Sequence, residues 1–419
     1  MPTILRSAPL LLLALTACDP AAVRHLDPQH AWYGDNAARI DAMLDELAAA
    51  SAERTVAVFD WDNTIIKNDV GDATMFWMLR HDKLLQPASW AETSRWLTPA
   101  AATALTTACA ALAEPGQPLP TSALTSAACT DEIVSVYYDG ATLTGEDAFA
   151  GWDHRTIEPA YAWTVQLQAG HTLDDLRKFA DAAIAEGLAA DEGAEQTVGT
   201  TTGLAAYLRV YPAMQDLIAT LQADGVDVWV LSASSQPLVE SFAARVGVAA
   251  DHVVGVRAVL DADGRATPHL QGCGDVADGD DTLITYLEGK RCWMNKIIFS
   301  VPAASARAVQ TDTAMRPAFA AGDSDTDVAF LQDATRLRLV LNRNKKELMC
   351  NAYNDAGGNW LINPMFIAPK PELADGYACS TDACSAADGS KTACADERGS
   401  PIADQKDTVF CADGTYCTG

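Results

Sequence analysis

Apolar and polar positions follow two periods along the chain, and the places where one gives way to the other mark its elements. Asn36 to Ala50 sets Ile40, Met43, Leu44 and Leu47 at helical spacing. Thr55 to Phe59 is instead a short, β-rich apolar run without alternation, as a strand buried on both faces requires, and it ends abruptly in Asp60 and Asp62. From Ile65 to about Val198 the pattern is helical and rich in alanine, broken by Pro115, Gly116 and Pro118, with no central strand. Within it Thr172 and Asp175 form a capping-box start, followed by Leu173, Leu176, Ala180 and Ile184 on one face.

Strands and helices alternate again from Tyr211. Met214, Leu217, Ile218 and Leu221 predict a helix that Asp224-Gly225 ends, and Val226 to Leu231 is a second buried strand. It runs into Ser232-Ala233-Ser234-Ser235-Gln236-Pro237, read as a small polar turn that opens a helix, where unpaired backbone N–H groups favour an anion. Val253 to Leu260 and Ala266 to Leu270 flank Asp261-Ala262-Asp263-Gly264 and predict a hairpin. A helix opens at Gly289-Lys290 with the stripe Trp293, Met294, Ile297, Ile298 and Val301. Ala318 to Ala321 is a third strand, closing on Gly322-Asp323-Ser324-Asp325-Thr326-Asp327, and Arg338 to Leu341 a fourth. No internal repeat is present. The expected fold is α/β, a Rossmann-like doubly wound parallel sheet formed by 19–64 and 206–368, with residues 65–205 inserted as a helical cap and 369–419 as a cysteine-rich appendage.

Charge and cysteines narrow the setting. With 29 Lys+Arg against 56 Asp+Glu the net charge is −27, which argues against nucleic acid or an anionic membrane surface as the main partner. An anionic substrate then needs local cations. Residues 1–18 have the anatomy of a secretory signal, with a short apolar core from Leu10 to Leu15. Leu15-Thr16-Ala17-Cys18 resembles a bacterial lipobox, so the expectation is an exported, membrane-anchored lipoprotein of the cell envelope, lipidated at Cys18. Setting Cys18 aside leaves ten of the 11 cysteines, an even number that an oxidising compartment would pair, with Cys109–Cys129 and Cys273–Cys292 as local pairs and Cys350 as a clip to the tail.

Asp60 and Asp62 stand at the carboxyl end of a central strand, where open α/β sheets bind ligands, and side chains two apart share a face. Asp60-Trp61-Asp62-Asn63-Thr64, Ser232, Lys290 and the Asp323 to Asp327 run supply the nucleophile, proton donor and cation that phosphoryl transfer asks for. In this order they resemble the motifs of the haloacid dehalogenase-like superfamily. That resemblance implies a magnesium-dependent phosphatase: Asp60 as nucleophile, Asp62 as general acid then base with its carbonyl on the metal, and Lys290 neutralising charge. Thr64, Ser232 and Ser234 would position the phosphoryl group, while Asp323 binds magnesium with Asp327 just behind it. An acid at position 62 separates the chain from the superfamily's dehalogenases, which lack one, and from the P-type pumps, which carry threonine. Lys290 is preferred to Lys296, which is rotated off the apolar face.

The insertion between the first two motifs is the place of the cap of the phosphoserine phosphatase-like branch. Phe59-Asp60-Trp61-Asp62-Asn63-Thr64, Leu231-Ser232-Ala233-Ser234 and the helix start at Gly170-His171-Thr172 give the closest resemblance to bacterial phosphorylcholine phosphatases. The cap offers Trp77, Tyr137, Tyr138, Trp152, Tyr161 and Trp163 with Asp131, Glu132 and Glu158, materials for a quaternary-ammonium cage, with Tyr138 as the leading contact. The alternatives are phosphoserine phosphatase-like activity and a non-catalytic acidic cell-surface binding lipoprotein. Calcium loops of the EF-hand kind are excluded, because the positions that need glycine and glutamate hold Ile65 and Gly71 in one run and Val328 and Ala334 in the other.

Overall fold

The computed structural model describes residues 23–50 and 54–411, so the expectations for 1–18, Cys18 and Cys417 lie outside the described residues. Six strands form the central sheet: β1 (Val56–Phe59), β2 (Asp227–Ser235), β3 (Val253–Val256), β4 (Phe319–Gly322), β5 (Leu337–Asn342) and β6 (Trp360–Pro364). They lie in the order β6-β5-β4-β1-β2-β3, and every pair is parallel. β1 is therefore flanked on both sides, with Ala57 level with Phe319 and with Val228.

Its residues alternate between two cores. Ala57 and Phe59 face a layer with Ile40, Leu44, Leu217 and Phe242, while Val56 and Val58 face one with Trp293, Met294, Phe330 and Leu348. Burial on both sides is why the strand reads as an unbroken apolar run. The helices Asn36–Ala49, Pro212–Ala223 and Gln236–Ala243 cover one face, and Glu288–Ile297, Val328–Asp333 and Lys346–Asn354 the other.

Three readings of the pattern need correction. Ser232 to Ser235 are not a turn but the end of β2, which loses register with β3 between Leu231 and Ser235 before the helix opens at Gln236. Small polar residues suit both a turn and a strand end whose side chains serve a site, so composition alone misassigned them. Val253 to Leu260 is two elements: Val253–Val256 joins the sheet as β3, and only Ala258–Leu260 pairs antiparallel with Ala266–Leu270. The sixth strand, β6, has no counterpart in the pattern, because it ends in Asn363-Pro364, residues that ordinarily mark a loop.

Between β1 and β2 lie the helices Val70–Arg80, Pro99–Cys109, Ala127–Val134, Pro159–Gln166 and Leu173–Ala189, with their own core around Phe76, Leu105, Ile133 and Trp163. The Thr172–Asp175 capping box is present. The insertion also holds a hairpin, Glu195–Val198 with Thr201–Ala205, and the short strand Ile66–Lys67 pairs with Arg209–Val210 where the chain leaves and re-enters the sheet. Among the described residues no helix is long and apolar enough to cross a membrane.

Disulfides join Cys109–Cys129, Cys273–Cys292, Cys350–Cys379 and Cys384–Cys394, and Cys411 is disulfide-bonded as well. The tail is thus clipped through Cys350. Polar contacts seat it too: Arg338 on Glu397 at 2.7 Å, and Asp407 taking bonds from Asn342 and Tyr353 at 3.0 and 2.6 Å.

Candidate active site

The ladder of β1 continues one residue past the strand, the Asp60 N–H donating to the Ala321 carbonyl at 2.9 Å. Trp61 then turns into the core against Phe242, which leaves Asp60 and Asp62 on the cavity side. Asn63 adopts a left-handed backbone, φ 60°, and its carboxamide oxygen accepts from the Asn68 N–H at 3.2 Å, so the chain folds back at once.

Lys290 fixes the centre. It is fully buried, and its Nζ lies 2.6 Å from both Asp60 Oδ1 and Asp327 Oδ1. Burial alone would lower its pKa, but Asp327 and Asp60 outweigh that and raise it, so the ammonium stays charged. Lys296 sits elsewhere, bonded to the Gly272 carbonyl over the Trp293 ring. Asp327 Oδ2 accepts from the backbone N–H groups of Asp323 and Ser324 at 2.9 and 3.0 Å. Such close packing of a carboxylate on the turn requires Gly322: a Cβ there would lie 2.7 Å from the Asp327 carboxylate.

Thr64 Oγ1 links Asp323 Oδ1 at 2.8 Å to Asp60 Oδ2 at 3.2 Å. Asp62 accepts from the Val70 N–H at 2.7 Å, from Ser234 Oγ at 2.7 Å and from Ser232 Oγ at 3.4 Å. Burial raises its pKa well above the usual carboxylate range, with Asp69 adding to the shift, and burial followed by Asp327 raises that of Asp60. One oxygen each of Asp60, Asp323 and Asp327 lie within 4.8 Å of one another. A set made only of carboxylate oxygens fits a hard cation such as magnesium, with Asp60 and Asp323 reaching the cavity.

All eight core residues singled out in the sequence therefore converge. The cap residues divide. A cavity of about 960 Å³ is lined by Asp60, Asp62 and Asp323 on one side and by Tyr137, Tyr138, Trp152, Glu158 and Tyr161 of the cap on the other. Tyr138 is 55% exposed, its ring 6.1 Å from Phe76. Trp77 instead stacks on His81, and Trp163 is core, donating to Thr93. Asp131 accepts from Thr200, and Glu132 from the Leu143 N–H, so neither joins the wall. Besides Glu158, the wall holds acids that the sequence pattern did not single out: Asp69, the N-cap of the helix Val70–Arg80, and Asp72 in its first turn, to which the Tyr137 hydroxyl donates. Burial and Asp69 push the Asp72 pKa up to about 7. Tyr286 and Arg343 also line the cavity; the cap pattern was legible at Asp69-Val70-Gly71-Asp72, but nothing local marks the other two.

Residues 141–332 match the family model described as haloacid dehalogenase-like hydrolase. The chain carries a haloacid dehalogenase-like hydrolase domain. The matched span holds Ser232, Lys290, Asp323 and Asp327, and Asp60 precedes it. A conserved protein of unknown function from Anaerococcus prevotii DSM 20548 shares the fold: TM-score 0.59, 19% identity, with 81% of this chain and 94% of that one covered. A protein of unknown function from Bordetella pertussis Tohama I is 17% identical over 75% of this chain and 100% of that one, TM-score 0.42. A substrate-bound phosphoserine phosphatase is 11% identical over 70% and 87%, TM-score 0.31. No curated protein matches the chain in sequence.

Proposed function

We propose that this enzyme hydrolyses a small phosphomonoester with magnesium, through an aspartyl-phosphate formed on Asp60. The observation that carries it is the Lys290 ammonium held between Asp60 and Asp327 beneath an acid, Asp62, that burial keeps ready to donate a proton. An Asp60 oxygen attacks phosphorus, the bond to the leaving oxygen breaks, and Asp62 supplies that oxygen with a proton. Asp62 then takes a proton from water, which attacks the phosphoryl group and returns Asp60 as a carboxylate. Lys290 offsets the charge on Asp60, and Thr64, Ser232 and Ser234 hold the two acids in place. Magnesium, when bound by Asp60, Asp323 and the Asp62 carbonyl, supplies the further positive charge that the phosphoryl oxygens need. Asp60→Asn should abolish magnesium-dependent hydrolysis of p-nitrophenyl phosphate, with circular dichroism unchanged. Near wild-type turnover in that variant would remove Asp60 as nucleophile.

The wall favours a second, finer reading, a cationic leaving group such as choline. Tyr137, Tyr138, Tyr161 and Trp152 offer ring faces beside Asp69, Asp72 and Glu158, and each well-placed ring contributes ~0.5–2 kcal/mol toward a cation. The enzyme should then prefer phosphorylcholine to phosphoserine by kcat/KM, and Tyr138→Ala should raise KM for phosphorylcholine several-fold while hardly changing p-nitrophenyl phosphate. Better turnover of phosphoserine would replace this reading with a phosphoserine phosphatase-like one and leave the core chemistry standing. The same proposal places the enzyme outside the cytoplasm, anchored through Cys18, with 65–205 as the cap that sets specificity; the paired cysteines support the compartment.

A further inference from the structure

Asp323 has both of its carboxylate oxygens engaged. Thr64 Oγ1 donates to Oδ1 at 2.8 Å, and Arg343 Nη1 donates to Oδ2 at 2.5 Å. The sheet makes the second contact: β5 is the parallel neighbour of β4, with Val340 level with Gly322, so the chain leaving β5 delivers Arg343 beside the residue that follows β4. A carboxylate as buried as Asp323, and as close to those of Asp60 and Asp327, needs a counter-charge. The Lys290 ammonium bonds the other two acids. Arg343 neutralises the third.

The two cations are held differently. Lys290 is fully buried between two carboxylates, whereas the Arg343 side chain is 26% exposed and makes no hydrogen bond to a described residue other than Asp323. Arg343 also stands in the short loop between β5 and the helix Lys346–Asn354, where the next residue, Asn344, has a left-handed backbone. Asp323 Oδ2 can therefore change partners without disturbing the core. Asp323 is one of the carboxylates that fit magnesium, and ions of that kind bind carboxylate oxygens directly. An ion on Oδ2 would face the guanidinium across a single oxygen atom, and charges of like sign that close repel. The guanidinium has a use elsewhere. Of the described residues that line the cavity nine are acidic and two basic, Arg343 and Lys345. A phosphoryl dianion entering such a wall calls for cations, and the planar fork of arginine matches phosphoryl oxygens in pairs.

We propose that Arg343 is the exchangeable cation of the site: it neutralises Asp323 while the metal is absent, gives up Oδ2 to magnesium, and then turns its fork to the phosphoryl oxygens. The exchange rests on the magnesium reading above and the phosphoryl contact on the phosphomonoester reading; neither involves the leaving group.

Manganese, counted by the electron paramagnetic resonance of the free ion, stands in for magnesium. Arg343→Met should bind it at least tenfold more tightly than wild type, Arg343→Lys should return toward wild type, and Lys345→Met, which removes a cavity cation with no bond to Asp323, should change the affinity less than threefold. With chelator the Tm of Arg343→Met should lie below that of wild type, and saturating magnesium should close the gap. Orthovanadate, a phosphoryl mimic, should raise the Tm of magnesium-loaded wild type and hardly that of Arg343→Met. Equal manganese affinity in Arg343→Met and wild type overturns the exchange, and so does an equal gain in Lys345→Met, which would reduce it to the general field of the cavity. A gain in manganese affinity with an undiminished vanadate shift overturns the phosphoryl contact and leaves Arg343 a counter-ion only. If neither wild type nor Arg343→Met binds manganese, the magnesium reading itself fails and the exchange with it. If wild type binds manganese but hydrolyses no phosphomonoester, the phosphatase reading fails, and the manganese series still decides the exchange.

Discussion

Asp72 shows how a residue can be costly to fold and still be kept. Its pKa rises from 3.8 to about 7, chiefly through burial and then through Asp69. A carboxyl raised in the folded state binds a proton more tightly there than in the unfolded chain, so its contribution to stability is full below about 4 and is lost as the pH climbs through 7. Asp72→Asn keeps the shape and cannot ionise. Its Tm should exceed that of wild type by more at pH 8 than at pH 5, and a pH-independent difference would show that Asp72 does not titrate in that window. Such residues were the hard ones to find. Asp60, Asp62, Asp323, Asp327 and Lys290 were legible because each follows a strand or opens a helix, and their local pattern names the position. Asp69, Asp72, Tyr286 and Arg343 become a wall only when three separate segments close on one cavity, which no local pattern encodes.

At the level of elements, strands buried on both faces were readable and strand ends were not. β1, β4 and β5 announce themselves as apolar runs, whereas the end of β2 carries Ser232, Ser234 and Ser235, whose side chains serve Asp62 and Gln168 instead of a core. The turn after β4 carries the sharpest steric constraint. Gly322→Ala would press a methyl group on the Asp327 carboxylate, which must then leave the Asp323 and Ser324 N–H groups. Overpacking of this kind costs about 1–3 kcal/mol. Activity toward p-nitrophenyl phosphate should fall at least tenfold, with a lower denaturation midpoint in urea; unchanged activity would mean that the turn relaxes without moving Lys290.

Across the whole molecule, the tail and the cap meet at one place. The His154 N–H donates to the Ala387 carbonyl at 2.9 Å, and Gly389 lies so near the His154 ring that a Cβ there would come within 2.5 Å of it. Arg155 binds both Glu347 oxygens at 2.8 and 2.9 Å and the Ser385 carbonyl at 3.3 Å. Cys384–Cys394 closes the loop that makes these contacts, and Cys350–Cys379 ties it to the helix that carries Glu347. Replacing Cys384 and Cys394 by serine should destabilise the protein by about 2–4 kcal/mol and raise KM more than it lowers kcat, because Trp152 and Glu158 of the cavity wall flank the seated segment. An unchanged KM would confine the tail to a role in stability.

The seat at His154 and Arg155 also sets an order of events during synthesis. Residues 152–158 leave the ribosome long before the segment 384–394 that holds them, and every group of the candidate site, from Asp60 to Asp327, is also made before that segment. A nascent or truncated chain can therefore bring Asp60, Asp62 and Lys290 together while the cavity wall around Trp152 and Glu158 is still unpinned. On the proposed function, selectivity would be the last property this enzyme acquires, and the first that proteolytic trimming of the tail would take away.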